Sequence, residues 1–234
     1  TTIVPKIPPR VNCVFQSLND SEKLVILHGG EHFNGNKVTT YNDIYTYSQT
    51  KNEFKHLSVP NSPLRSAHTG VLVSRDNSTY LYCFAGDFTS PSQLFRHYND
   101  LWIYDLGTSQ WENLTIRNGP PQRSGHRAVY VKSKRKMYIF GGFNDNHQSI
   151  KYYSDFWCFD LDSRTWTALG HAKSVGGNPK KKNDTAAVTV DATWPSARSG
   201  FGFIYHESTN SLILYGGYCT QTKKNSIEED ANVL

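Results

Sequence analysis

The strongest constraint on this chain is that it repeats itself. Asp43-Ile44-Tyr45 is followed by Phe54, Asp100-Leu101-Trp102 by Trp111, and Asp155-Phe156-Trp157 by Trp166, always 11 residues after the Asp. Ahead of each Asp, by 13, 14 and 13 residues, stands the second member of a small pair: Gly29-Gly30, Ala85-Gly86 and Gly141-Gly142, with a fourth pair at Gly216-Gly217. Further upstream come Arg10-Val11-Asn12, Arg65-Ser66-Ala67-His68, Arg123-Ser124-Gly125-His126 and Arg198-Ser199-Gly200-Phe201. The second glycines at 30, 86 and 142 give a period of 56 residues. Landmarks in a fixed order at such a period describe an array of units, each too small to bury its own apolar face.

Each unit reads as four short strands. In the third, Arg123-Ser124-Gly125-His126 leads into Ala128-Val129-Tyr130-Val131, a basic turn from Lys132 to Lys136, and Met137-Tyr138-Ile139-Phe140 ending on Gly141-Gly142. Phe156 to Leu161, a turn at Asp162-Ser163-Arg164, and Trp166 to Leu169 complete it. β-Branched and aromatic runs of this length between Gly, Asn, Asp and Ser are strand and turn signals. No stretch sustains an apolar period of 3.6 residues, so little helix is expected. Trp102, Trp111, Trp157 and Trp166 are expected to pack between sheets rather than stack a ligand, because they recur with the unit. Asp43, Asp100 and Asp155 recur too regularly for catalysis and are expected to cap or hydrogen-bond their turns.

The Gly-Gly pair, the spaced Tyr or Trp and the later Trp resemble the kelch motif, over residues 10 to about 218. That resemblance implies an all-β fold, a kelch-type β-propeller of four-stranded antiparallel blades, and a binding role. The units are expected at 10–60, 65–118, 123–169 and 198–217, with an insertion at 170–197 and a lone strand at Thr1–Val4. Propellers close with about four to eight blades. About three and a half blades therefore make an incomplete ring, with a compact four-bladed ring as the alternative. Ala85 departs from the motif by replacing the first Gly of its pair.

No apolar run is long enough to span a membrane, and no signal peptide is recognisable. Cys13, Cys83, Cys158 and Cys219 never approach C-x-x-C spacing, so buried free thiols in the cytoplasm are expected, with the nucleus as the alternative. The Asn-x-Ser/Thr patterns at Asn19, Asn77, Asn113 and Asn183 read as chance matches in that setting.

Function is expected on one face. The second-to-third and fourth-to-first connections leave from the same side of the ring, and they are the long ones: Glu31 to Thr40, Asp87 to Tyr98, Phe143 to Tyr152, Tyr218 onward, and the insertion. The opposite side carries tight polar turns such as Asp162-Ser163-Arg164. Loops on a rigid scaffold carry function, and aromatics with Arg dominate binding hot spots. The partner-binding set is therefore His32, Phe33, Phe88, Phe95, Arg96, His97, Phe143, His147, Lys151 and Tyr152, directed at a protein partner, for instance an acidic or phosphorylated segment. No catalytic residue, metal or cofactor is expected: His68 and His126 recur at one repeat position and read as motif elements. The net charge of +5 supports a rival, an RNA- or ribonucleoprotein-associated factor touching phosphate. Its lysines lie at Lys132–Lys136, at Lys173 and Lys180–Lys182, and at Lys223–Lys224, on opposite sides of the array. The insertion, rich in Gly, Lys and small polar residues, is expected to be a mobile loop.

Overall fold

A computed structural model describes residues 7–19, 24–76, 78–92, 94–114, 116–171 and 194–218, together with the strand Ala231–Val233. The lone strand expected at Thr1–Val4 and the loop at 172–193 fall outside the described residues.

The first sheet holds β1 (Val14–Asn19) and β2 (Leu24–His28), then, after a hairpin of β3 (Glu31–Phe33) and β4 (Val38–Thr40), β5 (Ile44–Ser48) and β6 (Glu53–Leu57). The second has β7 (Thr69–Arg75), β8 (Ser78–Phe84), the hairpin β9 (Asp87–Thr89) and β10 (Phe95–His97), β11 (Leu101–Asp105) and β12 (Gln110–Leu114). The third has β13 (Arg127–Val131), β14 (Lys136–Phe140), the hairpin β15 (Phe143–Asp145) and β16 (Ile150–Tyr152), β17 (Phe156–Asp160) and β18 (Thr165–Gly170). The fourth has β19 (Gly202–His206), β20 (Ser211–Tyr215) and β21 (Ala231–Val233). Each of the first three is a four-stranded antiparallel meander, and the fourth is three-stranded in the same order. This is an incomplete β-propeller, without an α-helix among the described residues.

The fourth sheet extends further than the landmarks suggested, because β21 pairs Ile213 with Val233 and Tyr215 with Ala231. A sequence signal for it exists: Asp230 stands 13 residues after Gly217, the interval that separates Gly30 from Asp43. The long connections are a second departure. Three of them, read as loops, begin and end as short β-ribbons. Asn34-Gly35 is a hairpin signal when read alone, and the Asn34 side chain accepts the Asn36 and Lys37 amides to close that turn.

The core is divided among the seams between sheets. Val14, Ile26, Ile44, Leu81 and Tyr104 fill the first, with Trp102 and Trp111 against them. Val71, Phe84, Leu101, Met137, Ile139 and Phe159 fill the second, with Trp157 and Trp166. Val131, Phe140, Phe201, Phe203 and Leu214 fill the third, with Trp194. The recurring tryptophans are thus packing residues.

Hydrogen bonds stitch the innermost turns together. The Ala67 amide donates to Asn12 O, the Gly125 amide to Ala67 O, and the Gly200 amide to Gly125 O. All four residues have left-handed backbone, which is why the third motif position holds Asn or a small residue. The pair explains itself similarly. Its second glycine has φ between +90° and +96° in every unit, beyond the left-handed well open to L-residues, whereas Ala85 in the first position sits at +58° and is tolerated. A Cβ on Gly142 would also stand 2.7 Å from Ser124 O.

The repeated Arg and Asp form a lock in each of the first three units. The Arg123 guanidinium grips Asp155 through two bonds of 2.7 Å, donates to Gly141 O, and lies 4.2 Å over the Tyr153 ring. Arg10 pairs with Asp43, and Arg65 with Asp100 at 2.5 Å while covering Tyr98 at 3.5 Å. Asp100 and Asp155 also accept the indole N–H of Trp102 and Trp157. The aspartates therefore tie an arginine some 30 residues upstream, not their own turns, because a buried guanidinium demands a carboxylate.

Candidate functional site

The ribbons β3–β4, β9–β10 and β15–β16 rise from the glycine pairs on one side, as the position of the long connections requires. Where the four inner turns meet them lies a cleft of about 650 Å³, lined by Asn12, Ala67, Gly125, Gly200, Glu31, Asp87, Phe95, Arg127 and Phe143 among others.

Two neighbouring ribbons share an aromatic chain. Strand alternation puts Phe95 and His97 on one face of β10, and their rings meet edge to face at 4.7 Å. Phe95 approaches His147 at 6.3 Å, His97 approaches Phe143 at 5.4 Å, and Phe143 continues through Tyr152 to Tyr218 at 5.8 and 5.7 Å. Five of the ten expected contact residues, Phe95, His97, Phe143, His147 and Tyr152, are thereby brought together.

His97 belongs beneath this surface, not on it. It is buried, and both ring nitrogens are used. Nε2 accepts the Asp145 amide at 2.9 Å, so the ring proton lies on Nδ1 and is donated to Ser124 Oγ at 2.7 Å. The Ser124 hydroxyl then bonds the Asp87 carboxylate. Burial pushes Asp87 up to about 7 and His97 down to about 4. This relay couples the second and third ribbons to the inner turns and leaves a carboxyl group at the cleft wall that titrates near neutrality.

The remaining five residues lie apart. Arg96 and Phe88 are cross-strand partners on the other face of their ribbon. Arg96 covers Tyr98 at 5.1 Å and Lys151 covers Tyr153 at 5.2 Å, so two exposed cations crown the rings that the buried arginines support from below. His32 and Phe33 sit on β3, with Phe33 62% exposed. The first ribbon joins the second by a bond from the Thr89 amide to Thr40 Oγ1.

Sequence reasoning missed Asp87 and Arg127 in the cleft. Arg127 is half-buried, donates to Phe201 O, and has its pKa lowered by burial. Asp87 follows its glycine pair as the acidic Glu31 follows the first, a signal that reasoning from the long loops passed over, whereas Arg127 has no counterpart in the other units. On the opposite side, the basic turn is partly neutralised: Arg135 forms a forked pair with Asp162, and Lys136 stands 3.5 Å from Asp160. The other two basic clusters lie outside the described residues. No helix among the described residues is long and apolar enough to cross a membrane.

Comparison with known proteins agrees with this geometry. Residues 3–190 match the KLHDC2/KLHL20/DRC7 Kelch-repeats domain. The chain belongs to the kelch-repeat family. Similar proteins include Mei4-dependent protein 6 of Schizosaccharomyces pombe, 29% identical over 49% of this chain and 16% of that protein. Kelch domain-containing protein 2 of Bos taurus is 30% identical over 51% of this chain and 24% of that protein. A RING finger domain and kelch repeat-containing protein of Dictyostelium discoideum is 26% identical over 69% and 14% respectively. The chain thus spans less than a quarter of the length of these relatives. Kelch-repeat domains generally bind protein partners and are typically non-enzymatic.

Proposed function

We propose that this domain is a non-catalytic protein-interaction scaffold whose contact surface is the ribbon face around the cleft. The observation that carries this reading is the run of rings from Phe95 through Phe143 and Tyr152 to Tyr218, flanked by Arg96 and Lys151. Apolar rings held at a rim by ribbons, with cations beside them, form an anchor of the kind that buries a partner's side chain. The cations favour an acidic or phosphorylated partner segment, which Arg96 can grip in two places. Within the family, the loops Gly29–Gly35 and Ala85–Pro91 resemble those of Kelch domain-containing protein 4 and its fungal counterparts, which supports a binding role. A cytoplasmic or nuclear setting agrees with its free thiols.

The test uses the full-length protein and a panel of acidic and phosphorylated peptides, with an RNA oligonucleotide as comparison. Phe95→Ala combined with Arg96→Ala should weaken peptide binding at least tenfold while moving the melting temperature by no more than a few degrees. Peptide affinity unaffected by this pair, but lost with Lys132→Ala and Lys134→Ala, would move the contact to the opposite face. Salt-dependent RNA binding without peptide binding would favour a ribonucleoprotein role.

A further inference from the structure

The first seam contains a feature that the repeat does not explain. His28 closes β2, His68 immediately precedes β7, and Cys83 lies in β8, so three strands of two sheets deliver them to one point. His28 Nδ1 is 3.0 Å from His68 Nε2, Cys83 Sγ is 3.9 Å from His28 Nδ1, and all three atoms fall within 4.8 Å of one another. All three side chains are buried.

Position by position, two of the three are departures from the motif. The residue before the glycine pair is His28, Phe84, Phe140 and Tyr215 in the four units. The residue before that is Leu27, Cys83, Ile139 and Leu214. His68 alone is shared, with His126 at its equivalent. In the second seam His126 meets Phe84 edge to face at 5.4 Å, and in the third Phe201 meets Phe140 at 5.8 Å. The first seam keeps this T-shaped geometry, at 5.0 Å, but uses two imidazoles and adds a thiol. Recurrence accounts for His68 and not for the other two.

We propose that His28, His68 and Cys83 bind a thiophilic d10 ion, Zn²⁺ or Cu⁺. Metal–nitrogen bonds of about 2.0–2.1 Å and metal–sulfur bonds of about 2.3 Å put neighbouring donors roughly 3.3–3.8 Å apart, and the observed separations straddle that range. The donor set decides the class. One thiolate and two imidazoles suit zinc or cuprous copper, and no carboxylate is in the group to favour magnesium or calcium. The single methionine, Met137, lies in the second seam, so no thioether completes the set.

The surrounding bonds orient the first donor. Ser62 Oγ donates its hydrogen to Asn42 O, so its 3.2 Å contact with His28 Nε2 is one in which the imidazole donates. The ring proton of His28 is thereby on Nε2, and the Nδ1 lone pair points into the cluster. A ligating histidine commonly holds its outer N–H this way. Without an ion, His68 must carry its proton on Nε2 to satisfy that lone pair, and its Nδ1 then has no hydrogen-bond partner. Ion binding requires His68 to shift its proton to Nδ1 and Cys83 to release its thiol proton to solvent. Burial keeps both imidazoles neutral but raises the thiol, so uptake is favoured by higher pH.

The full-length protein, stripped with a chelator, is titrated separately with Zn²⁺ and with Cu⁺ under anaerobic conditions, and with Co²⁺ as a spectroscopic probe. One equivalent of Zn²⁺ or Cu⁺ should be retained after gel filtration and should raise the melting temperature; the ion retained at lower free concentration identifies the resident one. Co²⁺ should produce a thiolate charge-transfer band. The pair His28→Phe and Cys83→Leu, which copies residue types of the second and third seams, should fold, lose the band and retain less than one-tenth equivalent. His126→Phe should leave all three readouts unchanged. Retention below one-tenth equivalent by the wild type, or a full equivalent in the paired variant, would overturn the site.

Discussion

The first and second seams have the same backbone plan and different chemistry. In the second, Trp166 packs on Phe84 at 4.8 Å and on Phe159 at 5.0 Å. In the first, Trp111 packs on His28 at 5.0 Å and on Tyr104 at 5.1 Å, while its indole N–H, the Tyr104 hydroxyl and His68 Nδ1 are buried without a hydrogen-bond partner. The difference shows how much the scaffold tolerates. The Arg–Asp locks and the chain of inner-turn hydrogen bonds position the sheets, so a seam can exchange hydrocarbon for polar groups without changing register. Each unpaired buried polar atom costs about 1–3 kcal/mol, and the first seam bears that cost in the region where we place an ion.

Three substitutions sharpen or break this comparison. The largest effect is expected for Trp166→Ala, which removes the ring filling the second seam and should cost about 3–5 kcal/mol. Trp111→Ala should cost clearly less, since it also removes an unpartnered buried donor; equal losses in denaturant titrations would mean that the two seams are energetically alike. Next comes Phe84→His, which carries the chemistry of the first seam into the second without its thiol. Lost packing and an imidazole in apolar surroundings should cost about 2–3 kcal/mol. A neutral result would show that the second seam is as polar-tolerant as the first.

The smallest effect is a pH dependence. His28 is held near 3, against an ordinary 6.5, chiefly by burial. Between those values the unfolded chain binds a proton that the folded chain refuses, so stability falls as pH drops below 6.5. In metal-free protein, His28→Phe should remove this contribution and flatten the acid side of the stability curve, by about 1 kcal/mol at pH 5.5. Asp87, raised to about 7, acts oppositely, since its folded form keeps a proton that the unfolded chain loses from about pH 4 upward. Urea unfolding from pH 4 to 8 separates the two by sign, because Asp87→Asn removes a loss of stability as pH rises from about 4 to 7, whereas His28→Phe removes a gain.

The sequence by itself determined the architecture and the positions of its recurring residues. The spacing of Arg, Gly-Gly, Asp and the later aromatic is periodic because the units solve the same problem: seat a guanidinium, turn the chain at φ near +90°, and fill a seam with aromatic rings. Periodic constraints are visible in one dimension. The aromatics of the ribbon face were also legible, since the long connections must leave from one side of an antiparallel meander.

What only the tertiary structure decided was which of those residues meet. Strand alternation divides Phe95 and His97 from Arg96, and burial turns His97 from a surface residue into the middle of a relay with Ser124 and Asp87. The aspartates proved to reach back across the unit to an arginine, a distance that no local turn signal encodes. Arg127, His28 and Cys83 each occur once at their repeat position, so periodicity is silent about them. Their proximity arises from packing one sheet against the next, which brings together residues as far apart as 28 and 83 without leaving any pattern along the chain.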